Sequence, residues 1–330
     1  MSDSTNGPAS PSPTPRDAAA PFNAGDADII LRSADGVDFR AHKFLLSMSS
    51  PFFQNLFTLP QPPTSSPHTS LDESKDGISV LCLSEDEHAV EMMLRYCYPR
   101  TVCPAEPTLD KTEDVKLALV LISKYQLAGV QGIVVQRLKA GPTLPKALSI
   151  FLKAWLLDLR EVVPIAARHT LRTALIFDEE HEELLSMPAI VLIRLTKYRK
   201  ACADATSACV FYQPLGSNMR TDIPIWEIKP CTGTAKSLFD VPSPLFSQRF
   251  VCPSLEQYLR DAADDLKIFP SNWKYTSQDH FVSAIEKVSS RCNYCKSSGS
   301  VAPAITHLSR LLYKEVDKCL SEIERKMSFY

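Results

Sequence analysis

The chain has 330 residues, enough for two domains or three smaller ones, and 45% hydrophobic content is ample for packed cores. A formal charge of −2 removes any electrostatic case for nucleic acid or an acidic membrane surface. No apolar run approaches the length that spans a bilayer, and the N-terminus shows no basic segment followed by an apolar one. These features favour the cytoplasm or the nucleus without separating them, and in either the 10 cysteines are expected to be mainly reduced.

Residues 1–24 are rich in Ser, Pro, Ala and Thr and predict a disordered tail, because they offer too little apolar surface to offset ordering entropy. Ile29 and Leu31 alternate with Ile30 and Arg32, the pattern of a half-buried strand. Asp35-Gly36 is a hairpin dipeptide, and Val37, Phe39 and Ala41 alternating with Asp38 and Arg40 form the return strand. Phe44, Leu45 and Met48 recur at helical spacing. Ser50 caps a second helix with Pro51 at its first position, where a missing N–H costs nothing. Phe52, Phe53, Leu56 and Phe57 give that helix a wide apolar face.

A polar, Pro-rich stretch from Pro60 to Gly77 reads as an enlarged, flexible loop, followed by a strand through Ile78, Val80 and Leu83. Ser84 caps the next helix, and Glu85, Asp86 and Glu87 suit the positive end of its dipole. Residues 112–128 and 130–139 read as a helical pair with Leu117, Leu119, Leu121, Ile122, Tyr125 and Leu127 as core, closing a domain near Lys139.

After Gly141-Pro142, a helix opens at Pro145-Lys146-Ala147, and Asp158 with Glu161 forms a capping box for another. Pro164 disturbs that helix or marks its true start, and the period continues through Ala166, Ala167, Leu171 and Leu175. A helix from Pro188 carries Ile190, Val191, Ile193, Leu195 and Tyr198. Its Arg194, Lys197, Arg199 and Lys200 fit a solvated face in a net-acidic chain better than a nucleic-acid footprint. Residues 204–250 predict a long irregular segment. Ser254 and Gln257 propose a further capping box. The last helix carries Ile305, Leu308, Leu312, Val316, Cys319, Ile323 and Met327 on one stripe.

The joint pattern of Asp28 before a strand, Asp35-Gly36, Phe39-Arg40-Ala41-His42-Lys43 and Ser50-Pro51-Phe52-Phe53 resembles the opening of a BTB/POZ domain. Tyr96-Cys97-Tyr98-Pro99 fits that family's aromatic helix end. The resemblance implies an α+β fold over 25–139, a small sheet with helical hairpins, followed by a mainly α-helical region. It also implies a protein-interaction module rather than an enzyme. The helices over 140–203 resemble the BACK-like region that follows many BTB domains, and 147–175 resembles BTB proteins of filamentous and mushroom-forming fungi. Residues 204–330 are left as a mixed loop and helical region.

The resemblance further implies a homodimer surface at Phe44, Leu45 and Met48 and a charged pocket at Asp28 and Lys43. A packing or capping role for the same residues stays open. His42 takes a structural role. A cullin ubiquitin-ligase scaffold would be contacted at Ala89 and Glu91, where Glu91 fits but Ala89 is small for the anchoring hydrophobe. The leading function is a homo-oligomeric scaffold or adaptor, with cullin substrate adaptor as the alternative and an unidentified protein partner for the C-terminal region.

No catalytic motif competes with this reading. Gly is scarce at 10 residues, no phosphate-cradling loop or serine elbow is present, and His42, His169, His181, His280 and His307 lie apart. No cofactor is expected. Zinc is the one alternative, in a metal-binding regulatory protein. Cys292-Asn293-Tyr294-Cys295 has hook spacing, whereas Cys202 and Cys209, six residues between them, are wider than a usual hook. Ordinary buried cysteines explain the same residues.

Overall fold

The computed structural model describes residues 15–59, 74–105, 107–140, 146–176, 182–210, 253–271, 286 and 301–330. The chain divides into two compact units, one comprising Met1–Pro145 with Lys153–Leu159, the other Lys146–Leu152 with Arg160–Tyr330.

The first unit is built on a five-stranded sheet with strand order β1-β3-β2-β5-β4. The strands are β1 (Arg16–Asp17), β2 (Ile29–Arg32), β3 (Val37–Ala41), β4 (Ser74–Lys75) and β5 (Ile78–Cys82). The β2–β3 hairpin is antiparallel with Leu31 opposite Phe39, and its Gly36 adopts the positive φ of 82° that the turn needs. β2 pairs in parallel with β5, which demands a crossover. Two short helices, α1 (Lys43–Ser49) and α2 (Pro51–Thr58), lie within it. Because β2 is the central strand, Ile29, Ile30 and Leu31 are all buried, and the half-buried reading of this strand is corrected.

Two other expectations change in this unit. A disordered tail through residue 24 fails at its C-terminal end. Arg16 and Asp17 pair in parallel with Val37 and Asp38, and Phe22 is buried 6.0 Å from the Phe39 ring and 5.4 Å from the Tyr98 ring. Phe22 supplies the apolar surface that composition over the whole segment averaged away. The stretch expected as a loop to Gly77 ends in a hairpin, in which Asp76 and Gly77, at φ 54° and 75°, join β4 to β5. Residues 60–73 of that stretch lie outside the described residues.

Three further helices follow in this unit: α3 (Glu87–Cys97), α4 (Thr112–Tyr125) and α5 (Ala128–Ala140). The cap of α3 is Asp86, whose side chain accepts from the Ala89 N–H at 2.9 Å. Ser84, the expected cap, instead receives a hydrogen bond from Lys124 at 2.7 Å. Along α4 the buried face is Val115, Ala118, Leu119, Leu121, Ile122 and Tyr125, and Leu117 is only half-buried. Tyr125 stacks on Phe53 at 5.2 Å with an interplanar angle of 5°. Ser50 does what its position predicts, accepting from the Phe53 N–H, and its hydroxyl also donates to the Tyr125 carbonyl at 2.6 Å.

After α6 (Ala147–Leu156), the second unit contributes α7 (Val162–Thr170), a 3-10 turn (Glu182–Ser186), α8 (Ala189–Cys209), α9 (Pro253–Ile268) and α10 (Val301–Lys326). The Asp158–Glu161 capping box is corrected: Glu161 is the N-cap and makes no side-chain cap bond, because the helix starts later, at Val162. Pro164 then falls in the first turn, where its lost N–H is harmless. α7 stops at Thr170, so Leu175 lies beyond it. α8 runs on to Cys209, past the expected boundary at 203 and into the segment expected to be irregular. The rest of that segment, residues 211–252, lies outside the described residues. Ile190 and Ile193 are exposed, whereas Val191, Leu195 and Tyr198 are buried. Arg199 is not solvated as expected, since it donates to the Thr173 carbonyl at 2.8 Å. α9 begins at Pro253, one residue before the expected cap at Ser254, and Gln257 donates to Asp261.

Along α10, Leu312, Val316 and Leu320 are buried and Cys319 and Ile323 half-buried, while Met327, expected on the same stripe, lies one residue past the helix end and is half-buried. The side chains of Ile305 and Leu308 lie outside the described set. Arg168 of α7 binds Glu324 at 2.9 Å and also pairs with Asp317. Tyr198 of α8 donates to the same Glu324 at 3.1 Å. One carboxylate thus serves α7, α8 and α10.

Candidate functional site

α1 is the element on which the expected interaction surface rests. It spans seven residues, too few to be stable alone, so it depends on what anchors its ends. His42 is its N-cap residue but makes no side-chain cap. The cap comes from Asp28, whose Oδ1 accepts the Lys43 backbone N–H at 2.7 Å. The His42 backbone N–H donates to the Tyr98 hydroxyl at 3.0 Å, and its ring Nδ1 lies 2.9 Å from the same oxygen. Burial pushes the Tyr98 phenol up to about 12, so this anchor stays protonated and neutral at physiological pH.

Anchored in this way, α1 turns Leu46 into the core and Phe44 and Met48 outward. Phe44 is 69% exposed and Met48 71% exposed, one helical turn apart on the same side. Leu45 is half-buried between the two faces. Leu46 went unnamed among the sequence-derived core residues, although its place between two outward-facing apolar residues is the helical signal for it. The charged pocket expected at Asp28 and Lys43 takes a different form. Asp28 holds the backbone of Lys43, and the Lys43 ammonium lies over the Phe57 ring, 5.9 Å from its centroid.

A hairpin whose return strand leads into two short helices, then a strand and a helix, reproduces the expected order of elements. Residues 22–141 match the BTB/POZ domain family. No curated protein matches the chain. BTB/POZ domains are typically non-enzymatic protein-interaction modules, and this segment has the fold of a BTB domain.

Within the BTB domain, the positions expected to meet a cullin are placed differently from each other. Ala89 is 3% exposed and packs inside, so its side chain offers nothing to a partner. Glu91 keeps a 39% exposed side chain and accepts two hydrogen bonds from Arg95, at 2.7 and 3.1 Å.

Of the residues with metal-ligand chemistry, Cys202 and Cys209 sit two turns apart on α8, a rise of roughly 10 Å, too far to grip one ion together. Burial pushes the Cys202 thiol up to about 12, which keeps it protonated. Cys292 and Cys295 lie outside the described residues. Among the described residues no group of three or more His, Cys, Asp or Glu side chains is placed to hold a metal ion. No helix among them is long and apolar enough to cross a membrane.

Proposed function

We propose that the protein is a homo-oligomeric scaffold or adaptor, assembled through the α1 face of its BTB domain. The observation that carries this reading is the outward pair Phe44 and Met48 on a helix otherwise fixed from both sides. Two large apolar side chains side by side on a rigid, short helix are costly in water and gain by meeting a second copy. Leu45, half-buried beside them, would extend the patch. The second unit then serves as a BACK-like helical platform for a further protein partner. Its likeness to BTB proteins of fungi is part of the same proposal and draws on α6 and α7.

Light scattering on the full chain tests the reading. The wild type should be dimeric at tens of micromolar, roughly the range where weak homodimers still associate. Phe44→Glu with Met48→Glu should be monomeric and still folded by circular dichroism, because both side chains are exposed in the single chain. A wild-type monomer, or a dimer indifferent to both substitutions, would overturn it. Cullin recruitment is the second outcome to score: Glu91 remains available for it, and the buried Ala89 counts against it.

A further inference from the structure

α8 carries isoleucine where a solvated helix would carry a polar residue. Its buried face, Val191, Leu195, Tyr198, Cys202, Thr206 and Cys209, belongs to a helix that packs against α9 and α10. At roughly 100° per residue, Ile190, Ile193, Lys197 and Lys200 fall in one stripe on the opposite face, in steps of three and four. Ile190 is 50% exposed and Ile193 48% exposed, and Lys197 and Lys200 are exposed on the next two turns. From Ile190 to Lys200 the stripe rises roughly 15 Å. Asp204, one turn further on, closes the basic stretch. Arg194 flanks the stripe half-buried, and none of Arg194, Lys197 and Lys200 has a carboxylate partner among the described residues. Ile190 and Ile193 lie outside the core, and β-branched side chains are weaker helix formers than the straight-chain residues that suit an exposed position. Residues that serve neither packing nor propensity point to a contact outside the chain.

We propose that this stripe of α8 docks an acidic amphipathic helix of another protein, whose apolar side chains lie across Ile190 and Ile193 and whose carboxylates meet Lys197 and Lys200. The inference rests on the reading of the second unit as a platform for a further partner, and it names the surface and the chemistry of that partner. Charge complementarity decides the class. Two successive turns of unpaired ammonium groups call for carboxylates, and the isoleucines before them call for aliphatic side chains, which a nucleic acid does not offer. A lipid surface is the poorer fit, because two half-exposed isoleucines bury too little apolar area to hold a bilayer. Steps of three and four match the ridges of a second helix, whereas an extended peptide alternates with a period of two. The isoleucines supply the buried contact, and the lysines steer the encounter and set its direction.

Fluorescence anisotropy of a labelled synthetic peptide, titrated with the full chain, tests the surface. The peptide is a helix with two leucines one turn apart and two glutamates on the adjoining turns, made in both sequence orders. A control carries lysine in place of each glutamate. The wild type should bind an acidic peptide with a Kd on the order of tens of micromolar and ignore the lysine control. Ile190→Ser with Ile193→Ser should weaken binding about tenfold. Lys197→Glu with Lys200→Glu should lose the acidic peptide and gain the lysine one. All four side chains are exposed, so both variants should stay folded by circular dichroism. If one does not, the other decides, together with the loss of wild-type binding as salt is raised. No binding by the wild type, equal binding of both peptides, or a preference for phosphatidylserine vesicles or duplex DNA would overturn the inference. Binding indifferent to both pairs of substitutions would move the contact off α8 and leave the platform reading standing. Self-association is scored apart, by light scattering on the Phe44 and Met48 variant, so failure of the scaffold reading is not confused with failure of this one. Loss of the dimer in the α8 variants would hand the stripe to a second copy and overturn its assignment to another protein.

Discussion

Arg32 clamps the buried Asp38 carboxylate with two hydrogen bonds, Nε to Oδ1 at 2.6 Å and Nη2 to Oδ2 at 3.1 Å. The two residues are direct cross-strand partners on β2 and β3. Lys75 on β4 adds a third bond to Asp38, at 2.7 Å, and reaches Asp17 on β1 at 2.8 Å. One charge network therefore gathers side chains from four of the five strands, including both edges.

Removing Asp38 should be costly, because Arg32 is 12% exposed and would lose the partner that offsets its burial. Asp38→Asn is expected to destabilise the BTB domain by about 3 kcal/mol, the lower end for a broken buried pair. Urea denaturation of the two proteins measures it. A difference below about 1 kcal/mol would place the network among surface pairs of little consequence.

The same residue sets a pH dependence. Burial opposes ionisation of Asp38, but the hydrogen bonds from Arg32 and Lys75 outweigh it and hold the carboxyl below its ordinary 3.8. A folded-state value below the unfolded one contributes stability that is complete above the unfolded value and is lost as pH falls through the folded value. The stability gap between wild type and Asp38→Asn should therefore be constant at neutral pH and close as pH drops below 3.8. A gap that widens in acid would reverse the assignment.

Phe39 and Phe22 form a tilted ring pair that carries the N-terminal segment onto the sheet. Phe39→Ala should cost about 3–5 kcal/mol, as for other fully buried aromatic truncations. Phe22→Ala should cost a similar amount, and the double substitution less than the sum, because each ring borders the cavity left by the other. Additive losses in chemical denaturation would mean that the rings do not share one packed site.

Asp28→Ala should remove the α1 cap at a cost of about 1 kcal/mol. Self-association should weaken alongside, because the outward pair on α1 is then presented by a helix whose N-terminal end has lost one of its two anchors. Sedimentation of the variant checks this. Full dimerisation with the expected loss in stability would show that Tyr98 anchors α1 without help.

Leu312 is buried on the α10 stripe, and Leu312→Asp places a carboxylate among Val316 and Leu320. A loss of at least about 3 kcal/mol is expected in the second unit alone. Limited proteolysis should cut the C-terminal region of the variant and spare residues 22–141. An intact fold with only association lost would reassign the stripe to a partner.

Local chemistry was legible in the sequence wherever the partner lay within a few residues. Asp35-Gly36 placed the hairpin and Ser50-Pro51 the start of α2, because a turn and a cap are decided by φ and by one nearby N–H. Partners chosen by tertiary packing were not legible. Nothing near Ser84 announces that Lys124 will claim its hydroxyl, leaving the cap to Asp86. The outward pair on α1 stands out in the sequence, yet its inward counterpart Leu46 does not, because four apolar residues in the seven of this helix leave the buried face undecided until the sheet is present. In the C-terminal half, Arg168 with Glu324 and Tyr198 with the same Glu324 join helices separated by long stretches of chain, beyond the reach of periodicity.

The parallel pairing of β1 with β3 bears on where this domain can be cut. Gly36 and Asp38 give their carbonyls to the Arg16 and Ala18 N–H groups, and the Arg40 N–H goes to the Phe22 carbonyl. A fragment beginning at residue 25 would lose all three bonds, the Phe22 ring beneath Tyr98, and the Asp17 carboxylate on Lys75. It would present β3 as a bare edge with free backbone donors and acceptors, a template for aggregation by strand addition. A recombinant fragment meant to report on natural self-association must therefore begin before Arg16, or edge-to-edge clumping will pass for dimerisation.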